Sequence, residues 1–402
     1  MRILIVVGNC LKVNSSANLC HKAYIQGFIE GGHDVTVVSM SDLGQIIDES
    51  IELPIGATYF FYDSSFLLKF IKPDARKAMN QAVDNKKFSI KTKVFSVLRS
   101  SIMKFYGVFG YSQAWISNTV AQFYDGEEFD LVVSLSSPIT SHVAAHLLIE
   151  QEKVKCKRFC ELWEDPWQYD IYDDKIDEKL LQLEYDITRY ADKVIYVSPI
   201  TAKIQAELFP KSAKNIDWVN LPYYYKDEKE NVKSGKNIYG YFGDYFPQTR
   251  NLAPFYKVAK KINLEVNICG MPNELFRSTE TIHIYPRLSL GELKKYEDVT
   301  NVLVFVCNLR GGQIPGKIYQ YSATNKKILF ILDGIKEEIE IIKDFFRKYN
   351  RYYFCNNNEE SILDVIHEIE DGGCEIIVDK CIEDFSPKNV CQKIIEKCMD
   401  DK

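Results

Sequence analysis

The constraint that weighs most on this chain is a repeating pair. A short, almost wholly apolar run closes on glycine or small polar residues, and a longer segment with apolar residues at helical spacing follows. "RILIVVGN", a helix over "LCHKAYIQGFIEGG" and then "DVTVVSM" form the first instance. Apolar runs without polar alternation suit strands covered on both faces, and strands that alternate with helices build parallel sheets. Gly31 and Gly32 stand where a helix would end on a glycine cap. "FDLVVSLSS", a helical "PITSHVAAHLLIEQE" and a further unit ending in "ADKVIYVSP" continue the pattern, which predicts one doubly wound domain over residues 1–220.

The pattern then breaks. "LPYYYKDEKENVKSGK" is polar and aperiodic, as an exposed linker is, and places a boundary at 221–235. A second series follows over 236–385, with strands expected at "NIYGYFGD", "LEVNICG", "IHIYP", "VLVFVC", "KILFIL" and "YYFCN". The segment 386–402 reads as a terminal helix that packs back on the first domain, with Ser386 as N-cap and Pro387 at the first helical position. The expected fold is α/β: two doubly wound, Rossmann-like domains facing across a cleft. At 402 residues the chain is long enough for both.

Composition narrows the partners. With 46% hydrophobic and 26% charged residues the chain is of ordinary globular make-up. A net charge of −6 argues against nucleic acid as the main partner and moves small molecules up. "MRILIVVG" is too short for a signal-peptide core, and no run near eighteen apolar residues occurs, so neither secretion nor a membrane span is expected. The expected location is the cytoplasm, with the inner membrane face as the place for peripheral contact. The eleven cysteines lack CxxC pairs and read as reduced thiols rather than as a zinc site at Cys156 and Cys160. The aromatic, basic region of roughly 55–125 has two readings: helices decorating the first domain, or an acceptor-side or membrane-facing surface.

"GGQIPGKIYQYSATNKKILFI", residues 311–331, is the stretch with the most chemistry. Its glycines allow close backbone approach, Pro315 can open a helix, and the free N–H groups beyond it suit an anion such as phosphate. Lys317 falls in the first helical turn, where a cation is unfavourable unless an anion offsets it. Gln320 lies one turn on, able to exchange hydrogen bonds with sugar hydroxyls. In paired α/β domains such a loop faces the cleft beyond the strand ends.

The stretch resembles the "P-S-K-[IVL]-x-E-Y-x-A-x-G-K-P" segment of nucleotide-sugar-dependent glycosyltransferases of GT-B fold, the large group around family 4, of bacterial surface-polysaccharide type. Other segments are similar to that group in the same order: "GGHDVTVVS", "ELWEDPWQYD", "YDITRYADKVIYVSPITAKIQAELFP" and "YGYFGDYFPQTRNLAPFYKVAKKI". The resemblance implies a hexosyltransferase that moves a sugar from a nucleotide diphosphate sugar, such as a UDP- or GDP-sugar, to a glycan or lipid-linked acceptor. It implies retention of configuration and no metal or other cofactor. Carried over position by position, Arg250 and Lys317 would contact the diphosphate, Gly243 and Gly316 would present backbone to the donor, and Gln320 would hold the ribose. Gly312 and Gln313 lie in the same loop as substrate-contact candidates. The group usually has Glu where this chain has Gln320, and often another at the position of Gly312, so a non-catalytic GT-B-like partner subunit is an alternative. A sugar-nucleotide epimerase of the same fold is a second.

On the acceptor side, Asp165 in "LWEDPW" matches the group's aspartate and would position the acceptor with base character, beside Glu164. Ser136 and Ser137 end a strand run and can line the cleft. His142 and His146, four residues apart on a helix, can place one imidazole in the cleft or be satisfied internally. Asp173 and Asp174 read as a solvated turn, and the loop after the first strand lacks G-x-G-x-x-G, which argues against a dinucleotide site.

Overall fold

The computed structural model describes residues 1–65, 109–110, 112–168, 176–227, 235–271, 274–310, 312–372 and 380–399. The first half holds β1 (Arg2–Val7), α1 (Ser16–Glu30), β2 (Asp34–Met40), β3 (Ala57–Tyr62), α2 (Ser112–Gln122), β4 (Glu127–Leu135), α3 (Thr140–Glu150), β5 (Val154–Trp163), α4 (Glu178–Thr188), β6 (Lys193–Tyr196), α5 (Pro199–Leu208) and β7 (Ile216–Trp218). The second holds β8 (Ile238–Phe242), α6 (Ala253–Lys261), β9 (Glu265–Cys269), β10 (Ile282–Tyr285), α7 (Leu290–Val299), β11 (Val302–Val306), α8 (Lys317–Tyr321), β12 (Lys327–Leu332), α9 (Lys336–Arg347), β13 (Tyr353–Asn356) and α10 (Glu359–Asp371). A last helix, α11, spans Pro387–Met399.

Seven strands in the order β3-β2-β1-β4-β5-β6-β7 form the first sheet, and six in the order β10-β9-β8-β11-β12-β13 form the second. All their pairings are parallel. The order reverses direction between β1 and β4 in one sheet and between β8 and β11 in the other, and such switch points open a crevice at the strand carboxyl ends. Gly8 follows β1 there. A Cβ on it would lie 2.6 Å from Thr140 Oγ1, and its N–H donates to Ser141 Oγ at 2.8 Å.

The expected strands of the second half are all present, because continuous apolar runs buried on both faces leave little choice of element. Ser386 caps α11 through its hydroxyl, which accepts from Asn389 N–H, and Pro387 opens the helix. α11 lies against α1: a Cβ on Gly27 would stand 2.2 Å from the Pro387 carbonyl oxygen, and Cys391 Sγ donates to the Tyr24 carbonyl. One buried cluster runs from Val7 and Leu135 through Leu221, Tyr223, Ile314 and Ile318 to Phe305 and Phe330, so the two halves share apolar packing at the hinge.

One sequence reading changes. The 55–125 region begins with a strand, β3, whose "ATYFFY" continues the first sheet as an edge, and it ends with the helix α2. Residues 66–108 between them, and Asp173 and Asp174, lie outside the described residues. Among the described residues no helix is long and apolar enough to cross a membrane.

Candidate functional site

The loop after β11 reaches across to the first half, and a chain of hydrogen bonds marks its path. Arg250 donates from Nε and Nη2 to Asn308 Oδ1 at 3.2 and 2.9 Å. Asn308 Nδ2 donates to the Gln313 carbonyl at 3.0 Å, and Gln313 Nε2 donates to Asp165 Oδ1 at 2.8 Å. Three candidates from distant parts of the sequence thus meet through Asn308, which sequence reasoning did not single out. Its only signal was a polar residue just beyond an apolar strand run. Arg250 Nη1 also donates to the Asp244 carbonyl at 3.2 Å, next to Gly243 at the end of β8. The Asp244 carboxylate accepts from Arg287 and from Met271 N–H; burial works against its charge, yet these donors hold its pKa below the ordinary value.

Gly312 explains a departure from the expected motif. Its φ is +63°, and a Cβ would stand 2.3 Å from Ile200 Cγ2 at the start of α5. Its carbonyl accepts from Ser198 Oγ at 2.8 Å, and its N–H bonds the Glu338 carboxyl of α9. No side chain fits that position while the loop rests on the first half.

The helix opened by Gly316 is short, α8 having five residues, so its dipole is that of little more than one turn. Gly316 faces Leu221 and Ser16, with a built Cβ 3.3 and 3.9 Å from them. Lys317 turns toward the hinge: its Nζ lies 3.2 Å from Tyr224 Oη and 3.6 Å from Glu297 Oε1. Burial disfavours its charge, but Tyr224, Glu297 and Tyr321 outweigh burial and raise its pKa. Glu297 also accepts from Tyr225 Oη at 2.5 Å.

Gln320 is 2% exposed, and its amide is engaged by the hinge backbone rather than by an open cleft. Oε1 accepts from Tyr224 N–H and Tyr225 N–H at 3.0 and 3.3 Å, and Nε2 donates to the Tyr225 carbonyl at 2.8 Å. An amide can both accept from the N–H groups and donate to a C=O of a passing segment, which a carboxylate cannot do. The ribose role that the resemblance attaches to this position meets a side chain already engaged within the chain.

The first half contributes a buried, neutral floor. His21 of α1 is fully buried, with Nε2 3.1 Å from the Ser136 carbonyl oxygen and 3.5 Å from Glu164 Oε1. Burial lowers the His21 pKa to about 4, and burial followed by the neighbouring Asp165 raises that of Glu164 well above the carboxylate range. Asp165 heads a loop whose next residues are held by Glu184: the Trp167 and Gln168 N–H groups donate to its two carboxylate oxygens at 3.0 and 2.8 Å. Glu184 is the first residue of the "E-x(6)-AD" pattern in "YDITRYAD", and its signal was present though its role was not. Ser137 is exposed beyond β4, and its carbonyl accepts from Asn9 Nδ2 at 2.7 Å.

His142 is not in the cleft. It is fully buried between α3 and the sheet, with Nδ1 2.7 Å from Ser134 Oγ and its ring stacked on Trp163 at 4.5 Å. Burial, with a smaller push from His21, lowers its pKa to about 3. The i, i+4 spacing sets both histidines on one helix face, and that face packs inward; His146 stacks on Tyr190. Among the described residues no group of three or more His, Cys, Asp or Glu is placed to hold a metal ion.

No protein-family model matches the chain, and no curated protein sequence does. Solved structures do. Sucrose-phosphate synthase from Thermosynechococcus elongatus superposes with a TM-score of 0.56 at 12% identity over 98% of this chain and 94% of that one. A point mutant of S. aureus TarM, in complex with fondaparinux, α-GlcNAc-glycerol and UDP, gives 0.55 at 9% over 98% and 96%. UDP-GlcNAc 2-epimerase from Methanocaldococcus jannaschii gives 0.51 at 8% over 98% and 99%. At these identities the likeness is one of fold. The chain has the GT-B architecture: two parallel-sheet α/β halves facing across a cleft.

Proposed function

We propose that the chain transfers a hexose from a nucleotide diphosphate sugar, a UDP- or GDP-sugar, to a glycan or lipid-linked acceptor in surface polysaccharide synthesis. The observation that carries the reading is the chain Arg250–Asn308–Gln313–Asp165, which ties a cation at the second half's switch point to an acid just past β5 of the first half. Departure of a nucleoside diphosphate places negative charge on the leaving oxygens. Arg250 and Lys317 would stabilise it as preorganised donors, with the phosphate taking the place of Glu297 beside Lys317. Asp165 would orient the acceptor hydroxyl at a carbon that becomes oxocarbenium-like as the leaving group departs. Retention of configuration and reaction without a metal belong to the same reading and rest on the resemblance. A cytoplasmic setting, at the inner membrane face for a lipid-linked acceptor, fits it. The UDP bound to TarM in a structure of like fold supports the donor class.

The test is calorimetric titration with UDP and GDP. One of them should bind, and Arg250→Ala and Lys317→Ala should each weaken binding about 100-fold, roughly 2.7 kcal/mol. Binding that neither substitution changes would sink the assignment of the site. A second reading, the non-catalytic GT-B-like partner subunit, is favoured by Gln320 and Lys317 having their bonds supplied within the chain. It predicts no diphosphate binding by folded protein. An epimerase would instead alter a sugar nucleotide with no acceptor present, a conversion visible by proton NMR.

A further inference from the structure

A cavity of about 660 Å³ lies between the halves beside the hinge, within the range of small-ligand sites. One wall is α1, which turns Leu19, Lys22, Ala23 and Gln26 toward it; the other is α7, with Leu290, Leu293, Lys294 and Glu297. Both sets follow the i, i+3, i+4, i+7 spacing by which a helix normally packs on a partner. Here the two faces meet a space instead.

The charges on the walls differ in how they are satisfied. Lys294 pairs with Asp227 at 2.5 Å and Asp298 at 2.9 Å, and Glu297 is bonded by Tyr225 and paired with Lys317. Lys22 is half-buried. Its Nζ has a long contact, 3.4 Å, with the Glu52 carbonyl, and among the described residues no carboxylate stands within ion-pairing distance of it. Burial lowers its pKa, while Asp48 and Glu52 act from farther away in the opposite sense. A partly desolvated ammonium whose nearest described carboxylates, Asp48 and the lining residue Glu52, act only beyond ion-pairing distance is a place where an anion gains more than at the surface.

The rest of the lining suits a saccharide. Tyr224 and Tyr225 bring aromatic rings to the lining, 5.1 Å apart and edge to face, with Lys317 Nζ 5.9 Å from the first ring and Lys294 Nζ 5.1 Å from the second, and Gln26 and Ser50 add polar groups at the wall. Tyr224 and Glu297 line the cavity and also contact Lys317, so a ligand there ends one side chain away from the cation that the transfer reading gives to the diphosphate.

We infer that this cavity binds an anionic sugar, its carboxylate or phosphate on Lys22 and its ring against Tyr224 and Tyr225. The inference rests on the glycosyl-transfer reading only in making that sugar the acceptor; binding itself is independent of it. The experiment titrates the full chain with a glucuronic-acid disaccharide, with glucose 1-phosphate and with neutral maltose, reading ligand signals by saturation-transfer NMR and affinity by calorimetry. One anionic probe should bind at least about tenfold more tightly than maltose, and which one does so separates the carboxylate from the phosphate source. Lys22→Met should remove that preference, Lys22→Arg should keep it, and Leu290→Trp, which fills the cavity, should abolish binding of every probe. Equal binding of maltose, a Lys22→Met protein that still prefers the anion, or no binding of either anion would overturn the inference. UDP titrated separately reports the donor site: loss of UDP binding with anionic-sugar binding retained would fail the transfer reading and leave this one standing.

Discussion

The two halves share one topology but treat ionisable groups at their strand ends in opposite ways. In the second half the ionisable groups have polar partners in or near the cleft: Arg250 bonds the Asn308 amide, Asp244 pairs with Arg287, and Lys317 with Glu297. In the first half the groups under the cleft are buried deeply enough to be neutral: His21 and His142 have depressed pKa values, Glu164 and Glu161 raised ones. Burial without a full set of partners removes charge, whereas partial exposure with donors keeps it. Under the transfer reading proposed above, the second half would take the anionic diphosphate. The first offers hydroxyls, carbonyls and un-ionised acids, as an acceptor-facing wall would.

The contact between the halves is the place to break this comparison hardest. Gly312→Glu, which installs the carboxylate seen at that position in the group the sequence resembles, must force a side chain into Ile200 at a φ of +63°. A loss of about 3 kcal/mol in unfolding free energy is expected from strain and overpacking together. Chemical denaturation checks it, and wild-type stability in this variant would show that the loop does not rest on Ile200.

Glu161 sharpens the contrast from inside the first half. It is fully buried on β5, bonded by Trp163 Nε1 at 3.0 Å; burial pushes its pKa up to about 8, with the Trp163 bond opposing and Glu184 adding to the rise. An acid whose folded pKa exceeds its unfolded value binds more protons when folded, so its contribution to stability falls as pH rises between those values. Between pH 6.5 and pH 8 Glu161 by itself loses about 2 kcal/mol, against a smaller gain from His21 and His142, which are neutral in the folded chain while their unfolded-state imidazoles still shed protons above pH 6.5. Glu161→Gln keeps an acceptor for Trp163 and should flatten that part of the stability profile. Unchanged steepness in the variant would place the titration elsewhere.

The smallest effect belongs to one side-chain bond between the halves, that of Gln313 to Asp165. Gln313→Ala deletes the donor to Asp165 and should cost about 1 kcal/mol. The same substitution should raise KM for the acceptor more than for the donor, because it removes a bond to the first-half acid and leaves Arg250 bound to Asn308. An equal rise for both would mean that the loop positions the donor alone.

Much of the architecture was legible in the chain. A run of consistent period fixes a strand or a helix through neighbouring backbone groups, and "VLVFVC" or "KILFIL" needs no distant partner to be recognised as a covered strand. Ser386 and Pro387 set their helix start from two adjacent residues. The edge strands β3 and β7 were not legible, β3 because its aromatic "ATYFFY" opens an irregular region and β7 because it has only three residues, whereas the edges β10 and β13 were.

The site was legible as a set of residue types and not as an arrangement. Arg250, Gln313 and Asp165 could be named one by one, but the bond from Gln313 to Asp165 spans 148 residues, and Asn308 enters only because it stands between them. Gln320 read as a weakened sugar ligand until Tyr224 and Tyr225 came to rest on it, Gly312 as a missing acid until Ile200 stood against it, and His142 as a cleft residue until its helix face turned inward. The sequence by itself determined two α/β halves, most of their strands and the terminal helix, because hydrogen bonding and burial along a segment are local. Which side chains are satisfied, neutral or open to a ligand was decided by the tertiary structure, because desolvation and pairing depend on atoms brought together from opposite ends of the chain.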